Sequence, residues 1–308
     1  MRAFAPTLIA LGAGITWVLL WSALLPSSEN VNRAETGPAV VAMRGVCRAG
    51  NLVARLPEIP EASGLALSRR HTGLLWTHND SGKPILYAIG VDGHVRAQVA
   101  VTGAQVDDWE TVATGSCPQG SCVYIGDIGD NKEARQSITV YRVPEPALND
   151  AATARAEAFP ATYPEGPRDA EAFFVGTDGT LFIVTKGEGS PISVYRFPAG
   201  AGPGATARLE RVATLARKAD KDERITDADL SPDGQWVALR TRDRVEFYRT
   251  DALLRGSTDE PMEVDVSGLR EPQGEGIAVG SDGTVFLAGE SGDGVRGGTL
   301  APLSCKLP

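Results

Sequence analysis

The stretch "DAEAFFVGTDGTLFIVTKGE", residues 169–188, decides the fold. Acidic residues open it and a short apolar run follows. Thr-Asp-Gly turns the chain, a second apolar run returns it, and polar residues close it. Two strand-forming runs around an Asp-Gly turn describe a tight antiparallel hairpin. The pattern stands four more times, as "EASGLALSRRHTGLLWTHND" (61–80), "DWETVATGSCPQGSCVYIGD" (108–127), "TDADLSPDGQWVALRTR" (226–242) and "QGEGIAVGSDGTVFLAGE" (273–290). The aligned positions Ser63, Glu110, Glu171, Thr226 and Glu275 recur roughly every 50 residues, a repeat length to be explained before anything else.

Each hairpin is followed by further strand-like runs, such as ITVYRVP (138–144), ISVYRFP (192–198) and VEFYRT (244–249). Four short antiparallel strands in a repeat of about 40–50 residues describe a β-propeller blade. A four-stranded sheet cannot cover both of its faces alone, whereas radial packing of blades covers them. Helical periodicity is nearly absent, and the best helical stretch, AATARAEA (151–158), is equally readable as loop. The expectation is an all-β propeller of five blades, with six as the alternative should the irregular stretch 145–168 hold a degenerate blade. Residues 51–59, "NLVARLPEI", read as a strand without its own hairpin partner, suited to complete the last blade and close the ring.

The 308-residue chain carries a formal net charge of −9. It shows no basic stripe to neutralise phosphates, which excludes a nucleic-acid partner. Residues 7–25 are uncharged, and at 1.5 Å per residue they reach about 28 Å, close to the thickness of a bilayer core. Residues 1–29 therefore read as a signal anchor or signal peptide. Residues 30–46 read as a flexible tether and 47–308 as the propeller, placed outside the cytoplasm with the membrane as partner of the N-terminal segment. Four cysteines in an exported chain are disulfides by default. Cys117 and Cys122 flank a short turn, and Cys47 and Cys305 would meet across the ring closure. Cys-x4-Cys lacks a second nearby ligand pair, which argues against zinc.

Geometry places the polar residues. In an antiparallel hairpin the start of the first strand and the end of the second share one edge. The starts Glu61, Asp107, Asp108, Glu110, Asp169, Glu171, Asp227, Asp229 and Glu275 should therefore gather with the ends His78, Asn79, Asp80, Asp127, Asp130, Asn131, Lys186, Arg240 and Glu290 around one mouth of the central channel. The opposite edge carries the hairpin turns and ordinary turn residues. Two carboxylates about 4 Å apart repel by roughly 4 kcal/mol at an effective dielectric of 20. Such a ring calls for protons, cationic side chains or a hard cation such as Ca²⁺. Asp108, Asp127, Glu171 and Glu275 are the metal-ligand set this suggests. Glu61, Asn79, Asp80, Glu110, Asp130, Asn131, Asp169, Asp227 and Glu290 would line the ligand site. In a hydrolase His78 would move protons, and Lys186 and Arg240 would meet developing negative charge. The competing structural readings are an Asx-type turn for "GDIGDN", strand caps and cross-blade pairs for the carboxylates, and core packing for Trp76 and Trp109.

The motifs "WTHNDSG", "DWE", "YIGDIGDN", "YRVPEP", "TDADLSPDG" and "QGEGIAV" together resemble a family of exported bacterial β-propeller proteins of unknown function, of the TolB-like or WD40-like kind. A looser likeness, in "SGLAL" and "QGEGIAVGSDGTVFLAGE", is to phytase-like esterase propellers, and it implies metal-dependent hydrolysis of phosphoesters or esters. The residues themselves favour a binding or scaffold module. Its acidic mouth would meet a small molecule, a cation or an envelope protein, with a divalent cation as the expected cofactor of the hydrolase alternative.

Overall fold

A computed structural model describes residues 47–50, 54–215, 219–257, 260–292 and 296–307. The signal or anchor segment 1–29 and the tether 30–46 lie outside the described residues. Among the described residues no helix is long and apolar enough to cross a membrane.

Five antiparallel sheets form the five blades of a propeller. Blade 1 runs from its inner to its outer strand through Ala62–Leu67, Leu74–Asn79, Ile85–Gly90 and Val95–Ala100. Blade 2 is Trp109–Cys117, Gly120–Asp127, Ile138–Pro144 and Glu157–Thr162, extended by a parallel pairing with Ala207–Arg208. Blade 3 is Ala170–Val175, Leu181–Thr185, Ile192–Arg196 and Glu210–Leu215, and blade 4 is Ile225–Leu230, Trp236–Thr241, Arg244–Arg249 and Met262–Asp265. Blade 5 takes Gln273–Val279, Thr284–Glu290 and Gly298–Cys305 from the end of the chain. Cys47–Ala49 and Ala54–Leu56 then pair with Gly298–Cys305 and complete it. The strand expected within 51–59 is therefore found at Ala54–Leu56. The sixth blade weighed for 145–168 is not formed, because Glu157–Thr162 becomes the outer strand of blade 2.

The ring is locked where it closes. Cys47 faces Cys305 in the strand register and is disulfide-bonded to it. Cys117 and Cys122 form the second bridge, across the tip of the blade 2 hairpin. Apolar residues fill the space between neighbouring blades, one cluster to each interface. Tyr124, Phe173 and Tyr195 pack between blades 2 and 3, and Phe174, Val184 and Tyr248 between blades 3 and 4. Trp236, Phe247 and Leu287 fill the next interface. Leu65, Leu75 and Leu300 close the circle between blades 5 and 1. Each such side chain is worth roughly 1.5–3 kcal/mol of burial. Trp76 and Trp109 are fully buried between blades 1 and 2, so the core reading holds for both.

One irregularity recurs in every blade and positions the site. Near the start of each inner strand the register against the second strand slips by one residue. In blades 2, 3 and 4 the extra residues are Glu110, Glu171 and Thr226, and in blade 5 the slip falls between Gly274 and Ile277, which includes Glu275. A bulge leaves its extra residue unpaired and re-aims the side chain. Four of the five aligned repeat positions thus lie in the bulges, while in blade 1 Ser63 stays paired with His78 and the slip follows it. Neighbouring bulges are also stitched together, since Ser63 Oγ donates to the Glu110 carbonyl and Thr226 Oγ1 to the Glu275 carbonyl.

Candidate functional site at the acidic mouth of the channel

At the centre of the mouth stand Glu110, Glu171 and Glu275, with one cation among them. Lys186, at the end of blade 3's second strand, forms an ion pair with Glu171 and a longer one of 3.4 Å with Asp169. Lys186 Nζ also donates to Asn131 Oδ1 at 3.2 Å. No hydrogen bond or ion pair among the described residues engages the side chain of Glu110 or Glu275. Both retain some solvent contact through the channel, while the surrounding protein strips water from their charge. Burial therefore pushes both carboxyls well above the usual range, and the Glu171 charge adds to the effect. Glu171 is pushed up to about 7, first by burial, with Lys186 working against it. Lys186 keeps its proton firmly, because these carboxylates outweigh its own loss of hydration.

A second group lies between blades 5 and 1. Burial pushes Glu290 up to about 7, with the Asp80, Glu61 and Glu171 charges adding to it. Asp80 is pushed up to about 6, again first by burial and then by Glu61. Asn79 caps the repeat start instead of facing the channel, its Oδ1 accepting the Glu61 N–H at 3.0 Å.

The third group explains the loop "GDIGDN". Asp127 is nearly inaccessible and accepts the Asp108 N–H at 3.0 Å. It also pairs with Arg135 Nη1 at 3.0 Å. Arg135 donates to the Gly129 carbonyl at 2.7 Å, and its own N–H donates to Asp130 Oδ2 at 2.8 Å. The Asp130 N–H reaches across to Asp169 Oδ1 of blade 3 at 2.8 Å. The loop is thus a side-chain-braced turn that joins two blades. Gly129 packs directly against the carboxylates of Glu110 and Asp108, so a Cβ there would force those side chains to shift. Asp108 is held above the usual carboxylate range by burial, with the Asp169 charge adding to it. Asp127 is raised by burial against the pull of Arg135.

The residues singled out from sequence therefore divide. Glu61, Asp80, Asp108, Glu110, Asp169, Glu171, Lys186, Glu275 and Glu290 surround the mouth. The quartet Asp108, Asp127, Glu171 and Glu275 does not converge, since Asp127 is turned toward Arg135. Among the described residues no group of three or more His, Cys, Asp or Glu side chains is placed to hold a metal ion. His78 is sealed in the core, its Nδ1 on the Asn79 carbonyl and its ring edge-on to Trp109. Burial lowers it to about 4, so it stays neutral near pH 7. Arg240 is also fully buried, paired with Glu271 and donating to the Gly276 carbonyl at 2.7 Å.

Asp227 lies deeper still. Its Oδ1 accepts the Thr111 hydroxyl at 2.6 Å, and its Oδ2 accepts the N–H groups of Ile277 at 2.8 Å and Leu65 at 3.3 Å. One blade 4 carboxyl thus binds blades 1, 2 and 5 across the channel. Sequence reasoning missed Arg135 and Glu271. Glu271 had a signal in its place just ahead of the fifth repeat start, whereas nothing in "NKEARQ" marks Arg135.

No known protein family and no curated protein matches this chain. Solved structures do. The PQQ-bound aldose sugar dehydrogenase of Streptomyces coelicolor aligns with a TM-score of 0.51 at 10% identity, over 84% of this chain and 98% of that one. The apo-form soluble aldose sugar dehydrogenase of Escherichia coli gives a TM-score of 0.51 at 10% identity, over 84% and 100%. Regucalcin of Agrobacterium tumefaciens, described as a calcium-binding protein, gives 0.45 at 14% identity, over 84% and 96%. At these identities the likeness establishes the propeller fold alone.

Proposed function

We propose that the chain is an extracytoplasmic binding module whose acidic mouth takes a cationic ligand. The observation that carries this reading is the pair Glu110 and Glu275. Both reach the mouth from bulges, and among the described residues neither side chain has a hydrogen bond or ion pair of its own. The only lysine among them, Lys186, is already engaged by Glu171 and Asp169. An arriving positive charge would favour the ionised form of both carboxyls, which burial and the neighbouring Glu171 charge otherwise disfavour. The two disulfides and the resemblance to exported propellers support a place outside the cytoplasm. The hydrolase alternative draws no support from His78 or Arg240, which are buried in the core away from the mouth.

The test is calorimetric titration of the full chain with Ca²⁺, Mg²⁺ and the polyamine spermidine. Saturable binding of at least one is expected. The double substitution Glu110→Gln with Glu275→Gln should abolish it while thermal unfolding stays cooperative. Binding of none of the three, or binding indifferent to that double substitution, overturns the reading.

A further inference from the structure

The hairpin-turn edge, expected to carry ordinary turn residues, encloses a cavity of about 690 Å³. That volume lies in the range of about 300–1,000 Å³ typical of small-molecule sites. Every blade contributes to it, through Leu67, Thr114, Val175, Asp229 and Val279 near the ends of the inner strands. The Asp227 bonds cross the channel between this cavity and the acidic mouth, so the two sites are separate.

The lining is amphipathic in a definite way. Val175, Val279 and Phe286 give it apolar walls. Val91, one of two large apolar side chains exposed among the described residues, stands on its rim. Asp229 supplies a carboxylate. Its oxygens accept the N–H groups of Leu230 at 2.9 Å and Val279 at 2.8 Å, which fixes its orientation while it still faces the cavity. Burial pushes Asp229 up to about 7, and Arg69 is the one charge acting against that. Arg69 is exposed on the same lining, its single side-chain hydrogen bond among the described residues going to Ser116 Oγ at 3.2 Å. An acid, a guanidinium and apolar walls thus share one space of small-molecule size.

We propose that this cavity binds a small zwitterion with apolar side groups, of the size of a dipeptide. Its ammonium meets Asp229, where a positive charge favours the ionised carboxylate. Its carboxylate meets Arg69, whose planar donors suit a carboxylate. Its side groups cover Val91 and Phe286. Blocking either end forfeits one charge-assisted contact, and blocking the ammonium also leaves the Asp229 carboxylate without a counter-charge.

The experiment is calorimetry on the full chain with leucyl-phenylalanine, its N-acetylated form and its C-terminal amide. The zwitterion should bind, and each blocked form should bind at least about tenfold more weakly. Asp229→Asn should weaken the zwitterion about tenfold and leave the N-acetylated form unaffected. Arg69→Gln, a surface change that spares the fold, should do the same for the zwitterion and spare the amide. The proposal is overturned if the zwitterion does not bind, if the blocked forms bind equally well, or if Arg69→Gln changes nothing.

Discussion

Asp227 offers the sharpest test of how the ring is held. It is fully inaccessible, and it accepts one hydroxyl and two backbone N–H groups from three other blades. In Asp227→Ala those donors remain buried without an acceptor. Each unsatisfied donor costs about 1–3 kcal/mol, and with partial relaxation the sum is roughly 4–6 kcal/mol. Against a typical stability of about 5–15 kcal/mol, that change approaches unfolding. At about 2–4 °C per kcal/mol for a domain of this size, the melting temperature should fall by roughly 8–24 °C. Asp227→Asn should behave differently. Its carbonyl oxygen can take over both N–H groups, and its amide can donate to the Thr111 hydroxyl, whose proton rotates freely. The expected cost is below about 2 kcal/mol. Burial already pushes the Asp227 carboxyl well above its usual range, so geometry and not charge is what it supplies. Urea unfolding followed by fluorescence of the buried tryptophans measures both variants. An Asn variant as damaged as the Ala variant would refute the reasoning, because it would mean that the negative charge is needed.

Two further predictions follow from the same physics. Glu171 and Glu290 are pushed up to about 7 and Asp80 to about 6, burial leading in each case. Their contribution to stability is present in full below their unfolded values near 4 and is lost as pH rises through 6 to 7. Melting temperature should therefore fall between pH 5 and pH 8, and Glu171→Gln with Glu290→Gln should flatten the curve; a rise over that interval in the parent would contradict it. His78, lowered to about 4 by burial, acts in the opposite sense, its contribution being present above 6.5 and lost as pH falls through 4. For the disulfides, the chain-entropy relation gives about 5 kcal/mol for Cys47–Cys305 and about 2 kcal/mol for Cys117–Cys122 as upper bounds. Paired Cys→Ser variants should destabilise in that order, and equal losses in urea unfolding would rule the relation out here.

Much of the fold is legible in the residues. Thr-Gly, Gln-Gly and Asp-Gly turns between apolar runs mark the five hairpins, and the unpartnered run before the first of them marks the strand that closes the ring. The site is legible only as a neighbourhood. Glu110, Asp127, Asp227 and Arg240 look alike as polar residues at repeat edges, yet one faces the mouth, one turns to Arg135 and two are sealed inside. The difference is made by the bulges. A single extra residue in a strand has no composition of its own, apart from glycines such as Gly64 and Gly276 beside it. The side chain that results on the channel face cannot be read from period-two alternation. The cavity at the turn edge was hidden for another reason. Its lining comes from residues far apart in the chain that only ring closure brings together.

That closure orders the assembly of the molecule in time. Cys47–Ala49 precedes every other described strand, yet its partner, Gly298–Cys305, is the last to be made. The earliest strand must wait, unpaired, while four complete blades are synthesised and stacked. Contacts spanning nearly the whole sequence form late and slowly. Oxidation of Cys47 with Cys305 then records that the circle has shut. A chain cut short before Gly298 can build blades, but it leaves its first strand edge open to pairing with another copy.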